Sequence, residues 1–68
     1  MTNFPKILKD LREEKGISQK ELGEEINVDI MTISRWERDL RVPNINYLVL
    51  LAKFFNVTTD YLVGMKDE

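Results

Sequence analysis

Between Ser18 and Glu37 the chain reads SQKELGEEINVDIMTISRWE, and those twenty positions hold two helix starts and one tight turn. Ser18 followed by Glu21 forms a capping box, in which the hydroxyl accepts from one unpaired backbone N–H at the helix start and the carboxylate reaches back to another. A helix therefore starts at Ser18 and runs to about Ile26, with Leu22 and Ile26 as its apolar stripe. Gly23 lies beside that stripe. Glycine inside a helix costs about 1 kcal/mol relative to alanine, so its presence predicts that another part of the chain approaches closely. Asn27, one of the few non-glycine residue types that accept positive φ, ends this helix, and Val28 points back to the core. Asp29 then caps a second helix over about Ile30–Arg38. Two short helices are thus held close together, the second carrying Ile30, Met31 and Arg35 where solvent is expected.

The flanking sequence supplies three more helices. Phe4, Ile7, Leu8 and Leu11 follow helical spacing over Phe4–Lys15, with Asn3 as the expected cap, Pro5 tolerated in the first turn and Gly16 suited to a left-handed stop. Asp39 takes the left-handed position that closes the Ile30–Arg38 helix, Leu40 to Pro43 form a loop, and Asn44 caps again. The fourth helix spans about Ile45–Phe55; its Leu48, Leu50, Leu51, Phe54 and Phe55 mark it as the buried centre. Thr58 caps a last short helix carrying Tyr61, Leu62 and Val63, before Gly64 and a polar tail. Gly and Pro are sparse and no repeat or low-complexity stretch occurs, which favours helices. The fold class is all-α, a compact five-helix bundle forming a single domain over residues 1–68.

What the chain lacks narrows its chemistry. At 68 residues, folding buries only ~60% of the surface the unfolded chain exposes, which leaves little room for a deep cleft. With no Cys there is neither a disulfide nor a thiolate site, and with no His the usual neutral-pH base and metal ligand are missing. There is no glycine-rich phosphate cradle, and the carboxylates fall on exposed helix faces. No enzyme activity, metal or cofactor is expected. The apolar run Tyr47–Ala52 falls far short of the ~20 residues that cross a bilayer, and Met1 opens no signal-peptide pattern, so no membrane association and a cytoplasmic location are expected. Ten Lys and Arg against twelve Asp and Glu give a net charge of −2, an objection to nucleic-acid binding unless the charges are segregated.

From Gln19 to Trp36 the stretch QKELGEEINVDIMTISRW resembles the helix-turn-helix of the Cro and phage-repressor family, also called the XRE family. The likeness covers nearly the whole chain, from Leu8 through GISQKEL, ISRWE, RVPN and LLAKFFNVTTDYLVG. A small residue at 23, a turn residue at 27, a branched apolar at 33 and a large apolar at 36 match together. Gly23 stands where the family most often has alanine, Asn27 where it most often has glycine, and Arg38-Asp39 replace a frequent Asn-Gly. All three differences keep the geometric requirement. The resemblance implies a lambda-repressor-like domain that binds double-stranded DNA as a transcriptional regulator, repressor-like, with Arg12 and Glu37 pairing to fix the angle of the reading helix.

The physical basis of such a motif is fit. A major groove ~12 Å wide admits one α-helix, and that helix needs a partner to brace it across the backbone. The 18–26 helix is the brace and the 30–38 helix the reader. At 100° per residue, Ile33, Trp36 and Glu37 share one side of the reader, while Met31, Ser34, Arg35 and Arg38 cluster on the other. Base contacts are assigned to Ile30, Met31, Ser34 and Arg35: the apolar pair can touch thymine methyl groups, and the guanidinium fork can donate to guanine O6 and N7. Backbone contacts are assigned to Gln19, Lys20, Thr32, Arg38 and Arg41, which concentrate donors and positive charge where a duplex would dock. Glu13, Glu14, Glu24 and Glu25 belong to other faces. On helix 1, Lys6 with Asp10 and Lys9 with Glu13 read as (i, i+4) pairs.

Each assignment has a plainer counterpart. Arg35, Ser34 and Gln19 can be ordinary solvated side chains, Ile30 and Met31 can pack partly in the core or meet a protein, and Asp29 reads as a cap before a cytosine contact. Trp36, Tyr47, Phe54, Phe55 and Tyr61 read as core, not as stacking platforms. One headpiece buries limited area, so a homodimer on a palindromic operator is expected, with Leu62, Val63 and Met65 as candidate dimer contacts or as core. The competing function, from another class, is a protein-interaction module of antitoxin or coactivator kind using the same surface around Ile30 and Met31.

Overall fold

The computed structural model describes residues 2–65. Five helices follow in order: α1 (Phe4–Glu14), α2 (Gln19–Ile26), α3 (Ile30–Glu37), α4 (Ile45–Phe55) and α5 (Thr59–Leu62), and no strand occurs among the described residues. Each of the five ends against one residue in the left-handed region. Gly16, Asn27, Asp39, Asn56 and Gly64 carry φ of 72°, 63°, 62°, 58° and 83°. At Asp39 the closure is a Schellman arrangement: the Leu40 N–H reaches the Arg35 carbonyl at 2.9 Å and the Asp39 N–H reaches that of Trp36 at 3.3 Å. Side-chain caps open four of the helices. Ser18 and Glu21 form both bonds of the capping box, at 3.0 and 2.8 Å, and Asp29, Asn44 and Thr58 each accept from the backbone N–H three residues on.

Two expectations at the helix level are corrected. Asn3 makes no side-chain cap on α1; Thr2 takes the role, its hydroxyl accepting from the Phe4 N–H at 3.3 Å. Helix α4 is not buried throughout. Leu51 and Ala52 are in the core, but Leu50 is 41% exposed and Ile45 and Val49 are exposed with it. The reason is phase: Leu48, Leu51 and Phe55 stack on one face, and Leu50 lies 100° round the helix from Leu51.

The core is assembled from one fully buried aliphatic side chain per helix: Leu8, Leu22, Ile33, Leu51 and Leu62. Phe4, Ile26, Trp36 and Ala52 complete it, and Tyr47, Phe54 and Phe55 pack half-buried against it. Tyr61 is half-buried as well. Leu62 is therefore core and not a dimer contact, Val63 is half-buried, and Met65 is exposed. Helix α3 packs on α2 and α1, while α5 joins α4 to α1.

Two side-chain features fix the α2–α3 corner. A Cβ on Gly23 would lie 2.5 Å from the backbone carbonyl of Val28, so the turn passes over α2 where only a hydrogen fits; this accounts for glycine at a position where the resemblance leads one to expect alanine. Across the other end, Arg12 of α1 meets Glu37 of α3 through two bonds, Nε to Oε2 at 2.7 Å and a second guanidinium nitrogen to Oε1 at 3.1 Å. The pair is nearly dry, with side chains 11% and 4% exposed. Arg12 also donates to the Ile17 carbonyl at 2.9 Å, which anchors the loop before α2. On the surface of α1, Lys6 pairs with Asp10 at 2.9 Å, whereas the expected Lys9–Glu13 pair is not formed.

Gly23→Val should lower folding stability by about 1–3 kcal/mol, because a branched side chain must displace backbone at the Val28 turn. A thermal melt reads this directly, and an unchanged midpoint would refute the close packing. Asp29 supplies a second test. The Thr32 hydroxyl and then the Thr32 N–H, both donating to its carboxylate, hold it below its ordinary value of 3.8, and Arg35 adds to the effect. A carboxyl depressed on folding stabilises above its unfolded value and loses that contribution as pH falls through the folded one. Asp29→Ala should therefore melt lower than the parent at pH 7, with the difference closing as pH drops below 3.8.

Candidate nucleic-acid interface

Helix α3 has two unlike sides. Ile33 and Trp36 are 0% and 3% exposed and bind it to the bundle, while Ile30 and Met31, in its first turn, are 47% and 48% exposed. Arg35, one turn further along, is exposed and makes no ion pair among the described residues. Ser34 is half-buried and accepts from Arg38 Nε at 3.1 Å, so its hydroxyl is partly occupied within the helix. Thr32 is half-buried too, its hydroxyl donating to Asp29 Oδ1 at 2.7 Å. Asp29 uses that same oxygen to cap the helix at 2.8 Å, as a capping role requires.

The residues assigned to the duplex backbone fall into two groups. Lys20, Arg38 and Arg41 are exposed and form no ion pair among the described residues. Gln19, at the first position of α2, is half-buried and donates through Nε2 to Glu37 Oε1 at 3.0 Å. From Ile30 to Asn44 the chain holds Arg35, Arg38 and Arg41 against Glu37 and Asp39. Since Glu37 is already neutralised by Arg12, three guanidinium groups are left facing solvent beside one carboxylate. Net charge −2 therefore coexists with a locally positive α3 and following loop.

Thr32, Arg35 and Arg41 are brought together along an open groove of about 400 Å³ between α3 and the start of α4. Asn44 and Tyr47 line it as well, with Trp36 and the Val42-Pro43 pair. Ile30, Met31, Ser34, Gln19, Lys20 and Arg38 are outside it. The sequence reading assigned neither Asn44 nor Tyr47 to the interface. Asn44 was legible only as a cap, and the signal that points further is its position: it opens a helix whose first N–H groups carry partial positive charge, three residues after Arg41. No group of acidic, His or Cys side chains able to hold a metal occurs among the described residues.

Residues 8–62 match the model of the helix-turn-helix family. The HTH-type transcriptional regulator ImmR of Bacillus subtilis (strain 168) is 44% identical over 63 residues, which is 93% of this chain and 49% of that protein. The HTH-type transcriptional activator BcrR of Enterococcus faecalis is 38% identical over 64 residues, covering 94% of this chain and 31% of the relative. Both relatives thus extend well beyond the part this chain spans, which is half of one and a third of the other. Among solved structures, the P22 c2 repressor in complex with synthetic operator 9T superposes with a TM-score of 0.88 at 29% identity, over 97% of this chain and 100% of that one. The family match over most of the chain, the shared fold and the paired α2 and α3 agree: the chain belongs to the helix-turn-helix family of Cro and phage-repressor type.

Proposed function

We propose that this chain is a sequence-specific double-stranded-DNA-binding domain of a cytoplasmic transcriptional regulator, repressor-like, which lays α3 in the major groove. The observation that carries the reading is the exposure of Met31 and Arg35 on a helix whose opposite side, through Ile33 and Trp36, is locked into the core, with Ile30 exposed beside them in the first turn. A rigid helix with half-exposed aliphatic groups at its start and an uncommitted guanidinium one turn on can meet thymine methyl groups and the guanine O6/N7 edge. Ser34 adds a hydroxyl to that surface. Lys20, Arg38 and Arg41 supply phosphate neutralisation and Gln19 a neutral donor, while Thr32, whose hydroxyl proton is held by Asp29, joins them by giving up that bond. The P22 c2 repressor, whose structure includes a synthetic operator, lends the reading its support by likeness of fold.

A single headpiece of this size offers limited contact area, so the working form is a homodimer on a palindromic operator with half-site centres ~34 Å apart. No helix among the described residues is long and apolar enough to cross a membrane. Should the exposed apolar groups Ile30 and Met31 instead meet a protein, as in an antitoxin or coactivator, the parent protein would show no duplex preference.

Selection from a random duplex pool should enrich one palindrome, and its affinity should fall steeply with salt as counterions are released by the Lys and Arg contacts. Arg35→Ala should weaken the selected site by about 10- to 100-fold, corresponding to ~1–3 kcal/mol, and relax the preference at one guanine position. Absence of any enriched sequence, or unchanged affinity on losing Arg35, would contradict the reading.

A further inference from the structure

The buried Arg12–Glu37 pair does more than tie α1 to α3, because Glu37 has a second partner. Its Oε1 accepts from Arg12 at 3.1 Å and also from Gln19 Nε2 at 3.0 Å. Gln19 is the first residue of α2, at the end where backbone N–H groups point outward and favour an anion. A carboxylate offers only acceptors, so the orientation of the Gln19 amide is settled: nitrogen toward Glu37, carbonyl oxygen away. An amide nitrogen carries two N–H groups, and one of these is spent on Glu37. The other has no partner among the described residues. Arg12 additionally holds the Ile17 carbonyl, two residues before Gln19, at 2.9 Å. One guanidinium and one carboxylate thereby register the start of α2 against the end of α3 across three elements.

We propose, resting on the DNA-binding reading above, that Glu37 is a positioning residue for DNA recognition: it orients Gln19 so that the remaining amide N–H is presented to a backbone phosphate oxygen. The pair sets the distance between a phosphate contact at the start of α2 and the base-reading side of α3. A glutamine released from Glu37 would sample several rotamers and present its carbonyl oxygen, which a phosphate repels, as often as its nitrogen. Affinity would drop although no group touching DNA had been removed.

The test compares the parent, Gln19→Ala, and a double variant in which Arg12→Met and Glu37→Met are combined. Removing Glu37 alone leaves a buried, unpaired guanidinium and threatens the fold, whereas replacing both members of a buried pair by apolar groups of similar volume is often neutral or stabilising. The duplex is the selected site, with single phosphates replaced in turn by neutral methylphosphonate. Gln19→Ala should bind about 10- to 100-fold more weakly, the worth of one hydrogen bond to a charged acceptor, and one phosphate should become silent to replacement. The double variant should lose a similar factor, silence the same phosphate and no other, and lose nothing further when Gln19→Ala is added. A purely structural role predicts a loss spread over all phosphates. Full sensitivity at that phosphate in the double variant, or losses that multiply with Gln19→Ala, would overturn the proposal. If no phosphate falls silent in Gln19→Ala while the parent binds duplex, the positioning idea fails and the DNA-binding reading stands; if the parent binds no duplex, both fail. NMR of the unmodified protein gives a measurement that no variant can spoil by misfolding. Duplex should slow solvent exchange of the second Gln19 side-chain amide proton, and continued fast exchange would overturn the proposal.

Discussion

None of the five helices is long enough to persist alone in water, since α4 and α1 have eleven residues and α5 only four, so each depends on what it buries. The constraint is met with one completely enclosed aliphatic side chain from each helix, Leu8, Leu22, Ile33, Leu51 and Leu62. Full burial of a side chain of this kind contributes about 1.5–3 kcal/mol, and in a domain this small no helix can be released without exposing its share. The functional consequence lies on α3. With Ile33 at the centre of the core and Trp36 beside it, the helix cannot roll, and the side carrying Met31 and Arg35 is held outward by the same contacts that hold the bundle together.

Local chemistry was the most legible part of the sequence. Caps at Ser18, Asp29, Asn44 and Thr58, and left-handed stops at Gly16, Asn27 and Asp39, each depend on a few neighbouring residues, so residue type and spacing specify them. Asn56 escaped notice although Asn56-Val57 before the Thr58 cap repeats the Asn27-Val28 pair before Asp29. The cap at Asn3 failed for a different reason. Its backbone has ψ 15°, whereas the four working caps are extended, and the conformation of a residue beside the chain's first turn does not follow from its type. For α4, the richness in Leu and Phe was read as uniform burial, whereas the phase of Leu50 relative to Leu51 decides which side faces water.

Long-range polar contacts were largely out of reach. Arg12 and Glu37 are 25 residues apart and were expected to meet only through resemblance to the family. The bond from Gln19 to Glu37 spans 18 residues and was not foreseen, because a glutamine at a helix start has many surface roles open to it. The groove that places Asn44 and Tyr47 beside Arg35 and Arg41 likewise depends on how α4 leaves the loop after α3. What the sequence did convey about the candidate interface was the exposed side of α3, since Met31 and Arg35 are out of phase with Ile33 and Trp36, and Ile30 falls in the open first turn. Charge told little by its sum. Net −2 concealed three arginines in and just after α3, one of whose two neighbouring carboxylates is already bonded to Arg12.

The account stands on the direction in which α3 presents its first two turns, and nuclear Overhauser contacts with a bound duplex measure that direction. Cross-peaks from the Met31 and Ile30 methyl groups to thymine methyl or cytosine H5 protons, which line the major groove, are the predicted result. Cross-peaks confined to minor-groove protons, or a complex in which those methyl groups meet no base at all, would contradict it.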